Sequence, residues 1–431
     1  GQHVLNYFSV DAAGNIGIQQ SSTYVVDKSA PVLTYNLDQP GYSSFQTLFI
    51  TIDDLTTSNV RYTLTTDGSE PALPTSSSTV YSPDTGILLN TDAVWKIRFY
   101  AVDELGNQTD TIAANFTIDT TQPVLAVDNP AGVYSASSQL DIALSVTDAI
   151  DQAPTMYYTT DGSEPTTASS QSQSVVNVSF NALGSHLIKA FATDAQGNTT
   201  PVQTFEYIQS STISAADGNN IISADTTLTK ALSPYRVLNR ITVNAGATLT
   251  IEPGVELLMD SGVSIVVNGT LIAKGSESDH ITIRNKDSGE RWLYVHLDSN
   301  SIDTIVDVQG DWISGSIVHY VDLINGGSSG STWGALNAQS SSPYFSDISI
   351  TNPVIGLTVY GDSLNRPVYK NINIISPEFQ GIYVYSSSVD LQNITTDKPT
   401  GTNINKAGVY IESGSVSNLT ISQSTFNGFT P

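Results

Sequence analysis

The sequence has no cysteine and few basic residues, and each shortage excludes a class of function. Without cysteine among its 431 residues, the chain can form no disulfide, no thiolate metal site and no cysteine nucleophile. Lys and Arg number 16 against 41 Asp and Glu, which gives a formal net charge of −25. A chain this acidic repels nucleic acid and anionic lipid, so we expect neither as a partner. It instead favours divalent cations.

The chain also lacks a signal peptide and any apolar run long enough to span a membrane, so we expect no direct membrane insertion of this segment. Charged residues make up only 13% of the sequence, and Ser, Thr, Asn and Gly fill the difference. That composition is typical of all-β proteins with many turns. A long secreted chain without cysteine favours a bacterial protein, so we expect an extracellular location, either at the bacterial cell surface or secreted.

An Asp-x-x-Gly-Asn motif recurs at a spacing typical of small β-domains. It occurs in "YFSVDAAGN" (7–15), "FYAVDELGN" (99–107) and "AFATDAQGN" (190–198). The motif aspartates lie 92 and 91 residues apart, which suits β-sandwich domains of about 100 residues. In "WKIRFYAVD", which leads into the second motif, apolar and polar residues alternate as in a strand. The Asp can cap the following turn, and the Gly can adopt the left-handed conformation that closes a hairpin.

A second motif, "TTDGSEP", occurs at 65–71 and again at 159–165. It reads as a turn between two strands, so we interpret it as repeated architecture and not as a repeated active site. Together the two motifs resemble the immunoglobulin-like repeats related to the C-terminal domain of chitobiase, over residues 1–209. The resemblance implies an accessory module of a large secreted bacterial protein and no catalysis.

The second half of the chain follows a different pattern. The segment 241–275 consists of short apolar strands broken by Gly, Asn and Pro, and it resembles the opening coils of right-handed parallel β-helix domains in bacterial surface proteins. Farther on, an apolar position recurs every 22 to 25 residues and is preceded by Asp or Asn; the pairs are Asp347 and Ile348, Asn371 and Ile372, Asn393 and Ile394, and Asn418 and Leu419. Stacked coils place such residues about 4.8 Å apart, which predicts an apolar interior column and a hydrogen-bonded Asn column.

The sequence therefore predicts an all-β fold of tandem immunoglobulin-like β-sandwiches followed by a right-handed parallel β-helix. The predicted domains are the C-terminal part of one repeat at 1–28, two full repeats at 29–119 and 120–209, and the β-helix at 210–431. The chain opens within a motif and ends just after a strand, so we expect the native protein to continue beyond this β-helix.

Aspartates at one pole of each full repeat are candidate calcium ligands. In an immunoglobulin-like sandwich the B–C and F–G loops share the end that faces the preceding linker. This rule gathers Asp27, Asp53, Asp54 and Asp103 at one junction, and Asp119, Asp148, Asp151 and Asp194 at the next. Calcium takes six to eight oxygen ligands in flexible geometry, so a structural Ca²⁺ is one prediction. The alternative is that these aspartates only cap turns.

Three tryptophans and one basic segment are the candidates for a carbohydrate site. Trp292, Trp312 and Trp333 are 20 and 21 residues apart, close to one coil, so they either form an exposed strip that stacks on sugars or fill space inside the protein. In the segment 279–291, His280, Arg284 and Lys286 fall on one face of a predicted strand. A solvated outer face over an apolar inner one is the favoured interpretation of that row, and we assign no catalytic residue.

The favoured function is a non-enzymatic stalk and presenting segment of a cell-surface or secreted protein, in adhesion or in an extracellular layer or filament. Its expected partners are an extracellular polysaccharide or protein, or a second copy through self-association. The alternative is a carbohydrate-active protein whose β-helix binds or cleaves a polysaccharide, as a lyase or a glycoside hydrolase.

Overall fold

The structure is a computed structural model that describes residues 1–136, 139–213, 220–287, 289–328, 332–361, 367–385, 388–397, 407–412 and 419–427. In these residues the chain is almost entirely β-strand and turn, and the helical content is one 3₁₀ turn at Lys230–Leu232. None of the helical structure in this described part has the length and apolarity of a membrane span. The predicted all-β fold is therefore confirmed.

The chain divides into two compact units. The first contains residues 1–129, 142–178 and 188–204, and the second contains residues 130–141, 179–187 and 205–431. The domain boundaries derived above from the sequence stay predictions.

The strands of the N-terminal half are β1 (Gln2–Tyr7), β2 (Gln20–Val25), β3 (Val32–Tyr35), β4 (Gly41–Tyr42), β5 (Gln46–Leu48), β6 (Ile50–Asp53), β7 (Ser58–Thr65), β8 (Thr79–Val80), β9 (Ile87–Leu89), β10 (Ala93–Asp103), β11 (Ile112–Ile118), β12 (Val124–Val127), β13 (Gly132–Ser135), β14 (Leu140–Thr147), β15 (Thr155–Thr159), β16 (Ser170–Ser172), β17 (Val176–Phe180), β18 (Gly184–Thr193) and β19 (Gln203–Ile213).

The strands of the C-terminal half are β20 (Asn220–Ile222), β21 (Thr226–Leu228), β22 (Tyr235–Val237), β23 (Ile241–Val243), β24 (Thr248–Ile251), β25 (Glu256–Met259), β26 (Ile265–Val267), β27 (Thr270–Lys274), β28 (Ile281–Asn285), β29 (Val295–Leu297), β30 (Ile305–Val306), β31 (Trp312–Ser314), β32 (Ile317–Ile324), β33 (Leu336–Gln339), β34 (Tyr344–Thr351), β35 (Leu357–Tyr360), β36 (Val368–Ile375), β37 (Gln380–Tyr385), β38 (Val389–Asp397), β39 (Ala407–Ile411), β40 (Leu419–Ser422) and β41 (Thr425–Asn427).

The first full repeat is organised around β10, which pairs antiparallel with β7 on one side and β11 on the other. Its residues Ile97, Phe99 and Ala101 are completely buried, as the alternation in the sequence predicts. Leu48 and Leu89, from the paired strands β5 and β9, join the same apolar core. In the second repeat β12 pairs antiparallel with β14, and β15 pairs antiparallel with β16 and β18.

The Asp-x-x-Gly-Asn motif closes a turn after β10 in the way its residue types predict. Asp103 Oδ1 accepts hydrogen bonds from the backbone N–H groups of Leu105 at 2.9 Å and Asn107 at 2.7 Å. Gly106 has φ of +89°, which a residue with a Cβ adopts at a cost. The motifs at Asp11 and Asp194 repeat this pattern.

The "TTDGSEP" motif also serves architecture. Asp67 Oδ1 accepts bonds from Ser69 N at 2.9 Å and Ser69 Oγ at 2.5 Å, and Asp161 and Ser163 form the same turn in the second repeat. Glu70 then forms ion pairs with two cations of the neighbouring strand β10, at Lys96 and Arg98.

The C-terminal half is a parallel β-helix. One sheet stacks eight parallel strands, β20, β23, β26, β29, β33, β35, β37 and β39. The other sheet stacks the remaining strands of successive coils, from β21 and β22 to β40 and β41. Strands β30 and β31 form a separate hairpin. Ile348, Ile372 and Ile394 are parallel neighbours and are buried, which confirms the predicted interior column for those three coils. Leu419 lies in β40, but its side chain is outside the described part.

The predicted Asn column forms a hydrogen-bonded ladder at a corner of the coils. Asn371 Nδ2 donates to Asp347 Oδ1, and Asn393 Nδ2 donates to Asn371 Oδ1, each at 2.8 Å. All three residues have φ between +52° and +55°. Asn and Asp tolerate this left-handed conformation better than other residues with a side chain, which explains their choice at the corner. The fourth predicted member, Asn418, lies outside the described residues.

Candidate metal centres

Two groups of three aspartates converge in the first compact unit. One group, which we call cluster 1, consists of Asp27, Asp54 and Asp103. Each residue contributes one carboxylate oxygen, and the three oxygens lie within 4.8 Å of one another. Cluster 2 consists of Asp119, Asp148 and Asp194, and it meets the same limit. Corresponding members are 92, 94 and 91 residues apart, so the clusters are successive copies of one arrangement.

The same three places in the repeat supply each cluster. One aspartate follows the strand that leads into the repeat, β2 or β11; one follows β6 or β14; and one stands at the end of β10 or just after β18. The last of these is the Asp of the Asp-x-x-Gly-Asn motif. The structure thus brings together three of the four aspartates predicted at each junction, and their role as metal ligands stays a prediction.

The Asn of the motif holds the linker against the turn. Asn107 Nδ2 donates to Asp103 Oδ2 at 2.7 Å and to the backbone carbonyl of Asp27 at 3.3 Å. Asn198 does the same for Asp194, at 2.7 Å, and for the carbonyl of Asp119, at 2.8 Å. Sequence reasoning missed this role, although the presence of Asn in all three motif copies was a signal that its side chain does more than follow a glycine.

Several carboxylate oxygens in the clusters are buried without a hydrogen-bond donor. Among the described residues this holds for Oδ2 of Asp27, Asp119 and Asp148. Asp119 is the extreme case, since its residue is 0% exposed and only its Oδ1 accepts bonds, from Thr121 N at 3.2 Å and Thr121 Oγ1 at 2.9 Å. A buried anionic oxygen without a partner is costly, and turn capping alone does not explain its position.

The pKa values of the two linker aspartates, Asp119 and Asp27, are shifted in opposite directions. Burial raises the pKa of Asp119, and the nearby carboxylates of Asp148 and Asp194 add to the rise, against the hydrogen bonds from Thr121. In cluster 1 the side-chain and backbone hydrogen bonds of Ser29 hold the pKa of Asp27 below its ordinary value.

A calcium ion fits the donor set. Opposite ligands of Ca²⁺ at 2.3–2.6 Å lie about 4.6–5.2 Å apart, which matches oxygens spread over at most 4.8 Å. All three side-chain donors are hard carboxylate oxygens, the type that Ca²⁺ prefers, and carbonyl or water oxygens complete six to eight ligands in such sites.

Asp53 and Asp151, also predicted as ligands, do not join either cluster. Asp53 precedes Asp54 on an extended chain, where successive side chains point to opposite faces, and it is exposed. Asp151 bridges two loops instead, because its Oδ1 accepts the N–H of Ala153 and its Oδ2 accepts that of Ala195, both at 2.9 Å.

The three tryptophans have different environments. Trp292 is 0% exposed in the apolar core of the β-helix, and its Nε1 donates to the carbonyl of Ile324 at 2.7 Å, so this residue fills space inside the protein, which is the second of the two alternatives. Trp312 is partly exposed on the hairpin β30–β31, with Lys274 Nζ 5.1 Å from its ring centroid. Trp333 is partly exposed and packs edge-on against His296, with centroids 4.5 Å apart.

Each member of the candidate basic row lies beside an acidic side chain. His280 Nδ1 lies 3.1 Å from Asp322 Oδ2, and Arg284 Nε lies 2.6 Å from Glu256 Oε1. Lys286 pairs with the adjacent Asp287.

Comparison with known proteins identifies one part of the chain directly. Residues 129–204 match the family model described as "Chitobiase/beta-hexosaminidase C-terminal domain". This match confirms the immunoglobulin-like assignment for the second repeat, which contains Asp148 and Asp194 of cluster 2.

Other similarities are more distant. A 60-residue segment is 43% identical to "Protein bark beetle" of Drosophila melanogaster, covering 14% of this chain but only 2% of that protein. Among solved structures, the chain is similar to the fibronectin(III)-like modules of Clostridium thermocellum CbhA, with 13% identity over 41% of this chain and 94% of that chain at a TM-score of 0.21. It is also similar to the titin domains z1z2 in complex with telethonin, with 16% identity over 43% of this chain and 99% of that chain at a TM-score of 0.18.

Proposed function

We propose that this chain is a non-enzymatic structural segment of an extracellular surface protein, in which Ca²⁺ binds at clusters 1 and 2 and stabilises the entry to each immunoglobulin-like repeat. The observation that carries the proposal is the recurrence of three converging aspartates at equivalent positions, with a completely buried, unpartnered oxygen at Asp119. Each cluster joins a linker to two loops of one repeat, so a bound cation would resist separation of the linker from the sandwich.

Both halves of the fold suit a role in presentation. Immunoglobulin-like repeats and parallel β-helices build length by repetition, and each adds exposed surface without requiring a new core design. The formal net charge of −25 keeps that surface soluble and attracts divalent cations. An extracellular location supplies Ca²⁺ at the concentrations that weak carboxylate sites require.

The test is thermal unfolding of the 431-residue chain in millimolar calcium, in millimolar magnesium and in chelator. A cation that binds only the folded state raises the melting temperature by mass action, and a concentration of 100 Kd stabilises by about 2.7 kcal/mol. We expect a clear rise with Ca²⁺ and a smaller one with Mg²⁺, whose octahedral shell is harder to satisfy with flexible loops. An unchanged melting temperature in calcium would sink the proposal and leave the aspartates as turn caps.

A second candidate function is polysaccharide binding by the β-helix. Parallel pairing places Lys274, His319 and Lys370 in one column of successive coils, with the buried Ser346 between the last two. Lys274 Nζ lies over Trp312, and Lys370 Nζ lies over Tyr344, each 5.1 Å from the ring centroid. Tyr344 is buried, so Trp312, which is partly exposed, is the ring that could stack on a sugar, with the ammonium of Lys274 close by to bond a hydroxyl or carboxylate group.

Affinity electrophoresis in gels containing neutral or uronic-acid polysaccharides would test this second function. We expect Trp312→Ala to abolish retardation, because it removes the aromatic platform. Ile313→Ala is the matched control, since Ile313 is a 57% exposed neighbour on the same hairpin. Equal retardation of wild type and Trp312→Ala, or no retardation in any gel, would exclude this site.

A further inference from the structure

The two clusters differ in how the middle aspartate is satisfied. In cluster 1, Asp54 Oδ2 accepts two hydroxyl hydrogen bonds, from Thr56 Oγ1 at 3.2 Å and Ser58 Oγ at 2.6 Å. Two hydroxyl donors therefore already lie against that oxygen, and Thr56 also hydrogen-bonds Asp103 of the same cluster. A cation that used it would have to displace at least one of them.

Cluster 2 lacks this hydroxyl pair. Ile150 and Gln152 follow Asp148 by the same two and four positions as Thr56 and Ser58 follow Asp54. Asp148 Oδ1 accepts the backbone N–H groups of Ile150 at 2.8 Å and Asp151 at 3.0 Å. Its Oδ2 is buried and has no donor among the described residues.

The linker aspartates add to the contrast. Asp119 of cluster 2 is 0% exposed, whereas Asp27 of cluster 1 is partly exposed. Among the described residues, cluster 2 therefore has two buried oxygens without a donor, Oδ2 of Asp119 and of Asp148, whereas cluster 1 has one, Oδ2 of Asp27. Binding a cation in cluster 2 satisfies oxygens that nothing else satisfies, while in cluster 1 it competes with an internal hydrogen-bond network.

We infer that the two sites are functionally unequal: Asp119, Asp148 and Asp194 form a tight divalent-cation site, and Thr56 and Ser58 hold the equivalent site of the first repeat in a weak-binding state. This inference rests on the proposed cation binding and adds to it an order of occupancy and the residues that set it. Cluster 1, the weak site, then fills only at high calcium concentrations. The entry to the first repeat therefore responds to calcium at concentrations that already saturate cluster 2, at the entry to the second repeat.

Calorimetric titration of the 431-residue chain with CaCl₂ tests the inference. We expect two phases that differ by about tenfold or more in Kd, because the hydroxyl bonds to a charged oxygen must be lost in cluster 1. Asp119→Asn should remove the tight phase and keep the weak one, and Asp27→Asn should do the reverse. Asp148→Asn provides a second variant of the tight site.

The double variant Thr56→Val, Ser58→Ala tests the assigned cause. Removing both hydroxyls leaves Asp54 Oδ2 without its donors, so we expect the weak phase to tighten by about tenfold and the tight phase to stay unchanged. Two equal phases in the wild type, or a weak phase that does not tighten in the double variant, would overturn this inference and leave cation binding intact. Absence of any calcium heat, with no shift in melting temperature, would instead refute the proposed function itself.

Discussion

Replacing Asp119 by Asn separates a cation site from a turn cap, because the two roles predict opposite signs in chelator. Asn keeps the size of the side chain and keeps an Oδ1 that accepts the bonds from Thr121. It removes the negative charge, and its amide can donate to an oxygen of Asp148 or Asp194, whose ligand atoms lie within 4.8 Å. If Asp119 acted only as a turn cap, the neutral Asn would accept the same bonds from Thr121 less strongly, and the variant would be destabilised or unchanged.

The size of the expected stability change follows from Asp119 Oδ2, which is buried and has no hydrogen-bond donor among the described residues. A buried polar group without a partner costs about 1–3 kcal/mol, and a charged one costs more. Asp119→Asn should therefore stabilise the cation-free protein by about 1–3 kcal/mol. For a domain of 60–100 residues, each kcal/mol raises the melting temperature by about 4–8 °C. In saturating calcium the order reverses, since the wild type gains about 4.1 kcal/mol at 1,000 Kd, more than the variant's advantage in chelator, and the variant loses its best site.

The assay is paired thermal unfolding of wild type and variant in chelator and in calcium, followed by circular dichroism. The expected result is a crossover, with the variant more stable in chelator and the wild type more stable in calcium. A variant that melts below the wild type by the same amount in both buffers would refute the reasoning, because Asp119 would then contribute only through its hydrogen bonds.

Three further predictions concern pH, the core and the coil corner. The folded-state pKa of Asp119 is raised above its ordinary value of 3.8, so the folded state binds more protons at this residue than the unfolded state does. The contribution of Asp119 to stability therefore falls as pH rises from 3.8 through the raised pKa. In chelator, Asp119→Asn should match the stability of the wild type at low pH and exceed it at neutral pH, as measured by urea unfolding. Trp292→Ala should cost about 3–5 kcal/mol in urea unfolding of the β-helix, whereas Trp312→Ala, on a partly exposed ring, should cost far less; equal losses would contradict the burial of Trp292. Asn371→Ala should lower the free energy of unfolding by about 1–2 kcal/mol more than Asn371→Gly does. Both variants remove the side-chain hydrogen bonds of the ladder, but only Ala strains the left-handed backbone at φ of +55°. Equal stability of the two variants would show that the ladder alone matters.

The fold was predictable because its signals are periodic and local. Alternation in β10, the recurring Asp-x-x-Gly-Asn turn and the Asn–Ile pairs of the β-helix each depend on residues close in sequence. Stacking then repeats the local structure from coil to coil, so a spacing of 22 or 24 residues is enough to place Ile348 above Ile372 and Ile394. The pole of the sandwich where aspartates gather followed from a different rule, that the B–C and F–G loops of an immunoglobulin-like sandwich share one end.

The details of the sites were not predictable for a different reason. Asp53 and Asp54 are adjacent, and only the strand register decides which of them faces the cluster. The 20- and 21-residue spacings of the tryptophans match a coil, yet Trp312 stands on the inserted hairpin β30–β31 and not on a stacked strand, so equal spacing does not produce a column there. Contacts such as Asn198 to the carbonyl of Asp119 join residues 79 positions apart, so the recurring Asn marks a role but not its partner.

The motif Asn also determines what a cation can contribute. Asn107 and Asn198 already tie each linker carbonyl to its turn by hydrogen bonds that need no metal, and Asp103 and Asp194 already accept several N–H donors. The backbone of each cluster is therefore set before a cation arrives, so little conformational entropy is lost on binding. The cation's contribution is to neutralise carboxylates that the repeat brings together, and it should be largest where the oxygens are buried and unpartnered. Removing calcium should consequently lower the melting temperature of a folded protein and leave its β content at ambient temperature unchanged. Loss of β structure on chelation would show that the cation is needed to form the linker contact, and that the asparagines do not hold it alone.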